Sequence, residues 1–305
     1  MEIAGASRRL KDLRTMEYSI TKAQIENDIL FETLKALYGG FAALGLPLYI
    51  VGGTARDFSR AILDTEKPAR TTTDLDVAIA IRDWHVFDEI TSELESRQFR
   101  KGRDKQKFIY YGLGGNIECE VDVVPFGEVA ENEIVGWPPD SNPQMSVKCF
   151  EDVMGEADIV TVNGEFCVFM APLSGQFLIK LDAWNDRHIK TDKDAYDMLF
   201  IMSNFYIAFI TRKVPCPKEV EVPEDDSLFD TTVWGARWIA CELSRFLSEK
   251  HRRFYYELIM SELRCEESSC LVRDMVKYCR ERNAYQIIRH ALEDFALILG
   301  GNNQI

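Results

Sequence analysis

The chain has 305 residues, 46% of them hydrophobic and 28% charged, and a formal net charge of −14. This is the make-up of a soluble globular protein long enough for two ordinary domains. The acidic excess argues against general adhesion to nucleic acid or anionic membrane as the main activity, while leaving room for a local basic groove.

The opening stretch, MEIAGASRRLKDLR, has charges but no apolar core behind them, so it does not read as a secretory signal. Residues 1–20 are left as an N-terminal extension. From 21 to 46, Ile25, Ile29, Leu30, Leu34 and Leu37 fall at helical spacing, which predicts one or two helices ending before Pro47. LYIV (48–51) is a short buried strand, Gly52-Gly53 a sharp turn, and TARDFSRAIL a helix starting near Thr54. From Asp74 the pattern alternates: Leu75, Val77, Ile79 and Ile81 share one strand face, while Asp74, Asp76, Ala78 and Ala80 share the other.

DWHVFDEITSELESR is the next helix. KFIYYGLGGNIECEVDVVPF reads as a hairpin around GLGGN, with Glu118, Glu120 and Asp122 on one face of its second strand and Cys119, Val121 and Val123 on the other. DIVTVNGEFCVFM is a second hairpin turning at Asn163-Gly164. Beyond Pro172 the strand signals stop and four long segments carry helical periodicity. The most apolar of them, Met198–Thr211, contains Ser203 and Asn204 and is too short to span a bilayer, so it is a buried core helix. Lys213–Asp226, with three prolines and many acids, is a linker or exposed loop. The resulting organisation is α+β: an α/β domain over 21–170, then an all-helical domain over 171–305. Eight cysteines without a C-x-x-C pair, and only four histidines, suggest neither a zinc site nor a disulfide framework, and predict reduced thiols in a cytoplasm.

Asp74 and Asp76 stand at the mouth of an otherwise buried strand, on one face, where like charges repel. Asp122, 46 residues after Asp76, is on the polar face of another strand. Three carboxylates converging on one site need a cation to stay ionised, and magnesium, which takes hard oxygen ligands and shares its shell with phosphates, suits them. One such ion, or a pair about 3.5–4 Å apart, can serve an in-line displacement at phosphorus. Gly52 and Gly53 let a phosphate approach the backbone closely, and a helix from Thr54 aims its free N–H groups at that phosphate. Each motif alone is commonplace, since D-x-D recurs on solvated strand ends; the ordered combination is specific. Glu118 and Glu120 read as solvated, with Glu120 a substitute ligand.

VGGTARD, TTDLDVAI and VDVVPFG together resemble the nucleotidyltransferase superfamily typified by DNA polymerase β, whose signature is hG[GS], D-x-[DE] and a later acidic strand residue. APLSGQFLIKLDAWNDRHIKTDKDAYDM looks like the K…DAW-x-DR…KD-x-x-D segment of the abortive-infection (AbiEii-type) toxin branch. The two likenesses cover about residues 20–212. They imply a mixed nucleotidyltransferase sheet with flanking helices, with Gly52, Gly53 and Thr54 at the nucleotide phosphates. Asp74 and Asp76 become metal ligands, and Asp122 the third acid and candidate base. Lys180 is expected near the triphosphate or the acids, and Asp194 matches the acid of the K-D pair. The implied activity moves a nucleotide from an NTP to a hydroxyl with release of pyrophosphate. It uses Mg2+, with Mn2+ as a substitute; the acceptor is an RNA such as tRNA or a protein, and a cognate antitoxin restrains the enzyme. A small-molecule nucleotidyltransferase and a non-catalytic nucleotide-binding protein are the alternatives.

VGGTARD is also similar to the start of CCA-adding enzymes and poly(A) polymerases, but the R-R-D-F-T-like segment of those enzymes is missing and the acidic composition fits a tRNA-gripping surface poorly. Arg56 could reach a phosphate or pair with Asp57 or Asp83. The six cations of RQFRKGRDKQK (Arg97, Arg100, Lys101, Arg103, Lys105, Lys107) could guide an anionic acceptor or simply be solvated, and EKHRRF allows the same two readings. Trp184, Trp234 and Trp238 read as helix packing and His188 as a surface residue.

Overall fold

Strand patterns occur in the first 170 residues, interleaved with helical ones, and purely helical patterns follow, and the structure divides the same way: every described strand precedes Pro172. The computed structural model describes residues 15–25, 27–63, 74–112, 118–222 and 229–301. In chain order the elements of the first half are β1 (Glu17–Ile20), α1 (Lys22–Ile25), α2 (Asp28–Ala43), β2 (Tyr49–Ile50), α3 (Gly52–Leu63), β3 (Leu75–Ala80), α4 (Trp84–Glu95), β4 (Phe99–Lys101), β5 (Lys107–Tyr111), β6 (Glu118–Phe126), β7 (Ile134–Gly136), β8 (Gln144–Ser146), α5 (Phe150–Gly155), β9 (Asp158–Val162) and β10 (Phe166–Met170). The second half is helical: α6 (Leu173–Arg187), α7 (Lys193–Thr211), α8 (Thr231–Phe246), α9 (Glu249–Arg264), α10 (Cys270–Val276) and α11 (Ala284–Gly300). The protein is thus α+β with a mixed central sheet and a helical C-terminal region.

Eight strands form that sheet in the order β1-β9-β10-β2-β3-β6-β5-β4, with β7 and β8 paired separately. Alternation decides its two faces. Leu75, Val77 and Ile79 of β3, Val121 and Val123 of β6, and Phe108 and Tyr110 of β5 are all buried. They lie under α2 and α4, where Phe87 meets Phe108 with ring centroids 6.4 Å apart. The opposite face carries the acids at one end and is closed at the other by Phe126 against Phe150 of α5, at 5.8 Å. Asn163 (φ 51°) and Gly164 (φ 69°) turn β9 into β10, the left-handed pair whose twist suits a two-residue hairpin.

In the helical half, α7 and α8 cross closely at Gly235, where a Cβ would fall 1.9 Å from the Met202 carbonyl oxygen. Trp238 fills the space beside this crossing against Phe209, at 5.4 Å, and Phe177 of α6 meets Phe295 of α11 at 5.1 Å. Trp184 and Trp234 are buried as well. His188 is half-buried and stacks on Trp184 at 4.4 Å. Among the described residues no helix is long and apolar enough to cross a membrane. All eight cysteines are free thiols.

Several elements depart from the sequence-based expectation. The helix after the glycines starts at Gly52 and not near Thr54, because Ala55 N–H already donates to the Val51 carbonyl. Glu17–Ile20, inside the N-terminal extension, forms an edge strand parallel to β9. The described part of the 213–226 loop is pinned: Val214 and Val220 are buried, the latter against α8, and residues 223–226 lie outside the described residues. In EKHRRF, the His251 ring nitrogens stand 2.6 Å from Asp152 and 2.9 Å from Glu133, so this segment ties α9 to α5 and the β7 approach.

Edge strand β1 is fixed partly by Asp158, whose carboxylate accepts from the Met16 N–H at 3.0 Å. Burial, opposed by that N–H and reinforced by Glu242 and Glu156, pushes the Asp158 carboxyl up to about 7. The folded state therefore holds a proton that the unfolded chain releases near pH 4, so stability falls as pH rises from about 4 through 7. Asp158→Asn, which keeps the acceptor oxygen, should be more stable than the parent at pH 8, on the order of 2–4 kcal/mol, and nearly equal at pH 4. Urea unfolding at the two pH values measures this.

Candidate active site

The site begins with strand register. β3 and β6 run parallel with Asp76 directly beside Asp122, and β5 runs antiparallel to β6 with Lys107 directly opposite Asp122. Residues paired in this way share a face, so Asp76, Asp122 and Lys107 stand in one row across three strands. Asp74 is one residue ahead of β3, and its charge acts on both other acids.

Helix α3 enters from the far side of β3. The Val51 N–H donates to the Asp76 carbonyl at 3.0 Å, and the Gly53 N–H donates to the Asp76 carboxylate at 3.2 Å. Gly52 has φ +61° and lies so close that a Cβ there would sit 2.1 Å from Asp76 Oδ2. Glycine is therefore required twice over at this position, by backbone conformation and by space. The Thr54 hydroxyl is fully buried and donates to the Asp74 carbonyl at 3.2 Å. It locks the start of β3 to α3, so only the backbone of Thr54 remains to meet a phosphate.

Burial raises the Asp76 carboxyl above the ordinary range; Lys180 opposes this, Asp74 adds to it, and the Gly53 N–H and Lys193 oppose it again. Asp122 is pushed up to about 6 by burial and by Asp76 and Asp74, against Lys107. Asp122 Oδ1 is a buried acceptor without a hydrogen bond among the described residues, its cation neighbour being Lys107 Nζ at 3.5 Å. Glu120 is exposed and held by Lys107 at 2.9 Å.

Cations from α3 and α6 and acids from α3 and α7 form a chain of alternating charge that is buried in its middle. Arg56 of α3, 3% exposed, binds Asp57 at 2.7 Å and Asp197 of α7 at 2.5 Å. Asp197 binds Lys180 of α6 at 2.7 Å, and Lys180 also stands 3.5 Å from Asp194. Asp194, wholly buried, takes a two-point grip from Arg187 at 2.7 and 2.8 Å. Despite burial, Lys180 and Arg56 hold the Asp197 carboxyl below its usual range. Arg56 thus turns inward to two carboxylates and away from Asp83, which instead caps α4. Asp194 is wholly buried between Lys180 and Arg187 and binds both.

Asp197 and Arg187 receive no role from sequence, and Lys107 reads there only as one of six cations that could guide an anionic acceptor or be solvated. Each has a usable signal: Arg187 is seven residues after Lys180, two turns along one helix face, Asp197 is three after Asp194, and Lys107 faces Asp122 in the β5–β6 hairpin register.

Among the described residues, no three Asp, Glu, His or Cys side chains are gathered into a ready metal cage. The Asp76 carboxylate is drawn toward Gly53 and the Asp122 carboxylate toward Lys107. Asp74, Asp76 and Asp122 are nevertheless brought together at the start of β3 and the middle of β6, and burial makes Asp76 and Asp122 costly to ionise without a nearby cation. No protein-family model matches the chain, and no curated protein matches it.

Gly52→Ala should shift Asp76 and weaken the α3–β3 join. The expected loss is about 1–3 kcal/mol, read by chemical denaturation, with the circular-dichroism spectrum of the folded state unchanged.

Proposed function

We propose that this protein is a magnesium-dependent nucleotidyltransferase. It takes a nucleoside triphosphate, joins an acceptor hydroxyl to the α-phosphorus, and releases pyrophosphate. One observation carries the reading: Asp76 and Asp122 lie in register on neighbouring parallel strands, with Asp76 seated at the glycine N-terminus of α3.

Asp74, Asp76 and Asp122 would hold Mg2+, with Mn2+ as a substitute, and the ion when bound supplies charge neutralisation at the transferring phosphate. The Gly52 and Thr54 N–H groups at the start of α3, beside the Gly53 N–H that Asp76 takes, cradle the phosphates, and the helix dipole favours their charge. Lys180, kept in place by Asp197 and Asp194, adds positive charge on the Asp76 side. Asp122 accepts the proton of the attacking hydroxyl while the α-phosphorus–oxygen bond to pyrophosphate breaks. Rate enhancement comes from positioning and preorganised charge.

The likeness of Lys180–Asp197 to the abortive-infection toxin branch extends the proposal to a toxin-like enzyme that modifies an RNA such as tRNA, or a protein, and is restrained by a cognate antitoxin. Expression should then arrest growth, and the aspartate variants should relieve the arrest.

The direct test incubates the protein with each labelled triphosphate, magnesium and total RNA, and asks whether label moves to RNA, to protein, or nowhere. The Asp74→Asn, Asp76→Asn double variant should lose transfer by at least a thousandfold while melting like the parent. Full activity in that variant rejects the assignment. Calorimetry that detects no magnesium-dependent triphosphate binding would point instead to a non-catalytic protein.

A further inference from the structure

A cavity lies where the sheet meets the helical half, between β1, α3, α6, α7 and α8, and none of the residues around it belongs to the acid row or to the chain of alternating charge. Its volume is about 50 Å³, and since one water needs about 10–15 Å³ it has space for roughly three to five water-sized groups. Ile62, Leu63, Leu173, Phe209 and Phe246 supply an apolar wall, while Asp158, Glu156 and Glu242 bring three carboxylates against one cation, Arg245. Arg245 is exposed and marks the side open to solvent. Asp158 is the least exposed of the acids, at 5%. Its Oδ1 accepts from the Met16 N–H at 3.0 Å, and its Oδ2 has no hydrogen bond among the described residues. The Ser174 hydroxyl, wholly buried, donates to Glu242 Oε2 at 3.2 Å and holds that carboxylate in place.

A polar enclosure of this size can take water, a metal ion or an organic cation, and its side chains discriminate among them. Among the described residues no three Asp, Glu, His or Cys side chains are grouped to hold a metal ion. Arg245 acts on Glu156 near the open side, so the charge left uncompensated lies deeper, at Asp158. Water does not neutralise it. An ammonium does: it is a compact charge with three donors, which two carboxylates and a hydroxyl can meet. An alkyl stem on that ammonium would lie against the apolar wall, where burial favours it over water.

We propose that this cavity binds a primary alkylammonium, with its N–H groups on Asp158 and Glu242 and its stem along Leu63, Leu173 and Phe246. The site is independent of the proposed transferase chemistry. Its occupant ties β1, α3 and α8 together and so reinforces the join between the two halves. The charged and titratable groups that face Asp158 are Glu156, two residues earlier, Glu242 and Arg245 of α8, and Tyr18 of β1, whose ring lies under the Arg212 guanidinium at 5.1 Å. Burial pushes the Asp158 carboxyl up to about 7. An ammonium that enters at pH 6 therefore displaces the Asp158 proton, and binding tightens as pH rises through 7.

The test is isothermal titration calorimetry of the full-length protein with n-propylammonium chloride at constant ionic strength. Binding should be about tenfold tighter at pH 8 than at pH 6, with a proton released at the lower pH, while the amine stays charged at both. Asp158→Asn, which is expected to be folded and stable at pH 8, should weaken binding there about tenfold or more. Glu242→Gln should weaken it several-fold, and Arg264→Gln on α9 should leave it unchanged. Potassium and tetramethylammonium, which carry no N–H donors, should not compete. Saturating propylammonium should also raise the melting temperature of the parent and not that of Asp158→Asn. Absence of propylammonium binding, equal affinity in Asp158→Asn, or competition by potassium at the same concentration overturns the site, leaving a cavity that holds only water or an inorganic ion.

Discussion

The Asp76 carboxylate meets the Gly53 N–H at a point where residue 52 has no room for a side chain. This contact joins a strand start to a helix start and orders the groups around it. The carboxylate is half-buried, and its partial desolvation makes its charge costly there, a cost that the helix N-terminus helps to offset. The same contact fixes how far α3 stands from β3. That spacing in turn sets where Arg56, one turn later, meets α7. Loosening it would disturb the acid row and the helical half together.

The two halves of the chain are joined by charge as well as by apolar packing. Lys180 and Arg187 come from α6 and Asp194 and Asp197 from α7, while Arg56 and Asp57 come from α3. Isolated buried pairs of this kind contribute little net stability, because desolvation cancels most of the attraction. Their value here is positional. Lys180 is held from two sides at 2.7 and 3.5 Å, and moving it away would break its pairs with two buried carboxylates at once. An enzyme relying on preorganised charge needs that rigidity.

Much of the fold was legible because long alternating or helical patterns are hard to misread. The β3 and β6 alternation, the Asn163-Gly164 hairpin and the helical second half all follow from periodicity and turn chemistry. What escaped was short or dependent on tertiary context. β1 has four residues with only Ile20 buried, and it is a strand because β9 offers it an edge. The three-residue strands β7 and β8 and the six-residue α5 are too brief to carry a pattern. At the site, the three acids and the glycine pair could be read from spacing. The inward turn of Arg56 could not, since it depends on Asp197, 141 residues away. Lys107 beside Asp122 follows once the β5–β6 hairpin register is fixed, so that contact lay within reach of the sequence.

The ionic relay from Asp57 to Arg187 has an evolutionary corollary. Its six members alternate in sign, so each interior residue serves two neighbours of opposite charge. Neutralising one interior position takes a partner from both and leaves the relay with an unbalanced charge, whereas exchanging an adjacent cation and anion together for apolar residues of similar bulk leaves its net charge balanced. Divergent descendants of this chain should therefore change these positions in couples, and a lone substitution should survive at the ends, Asp57 and Arg187, before it survives in the middle.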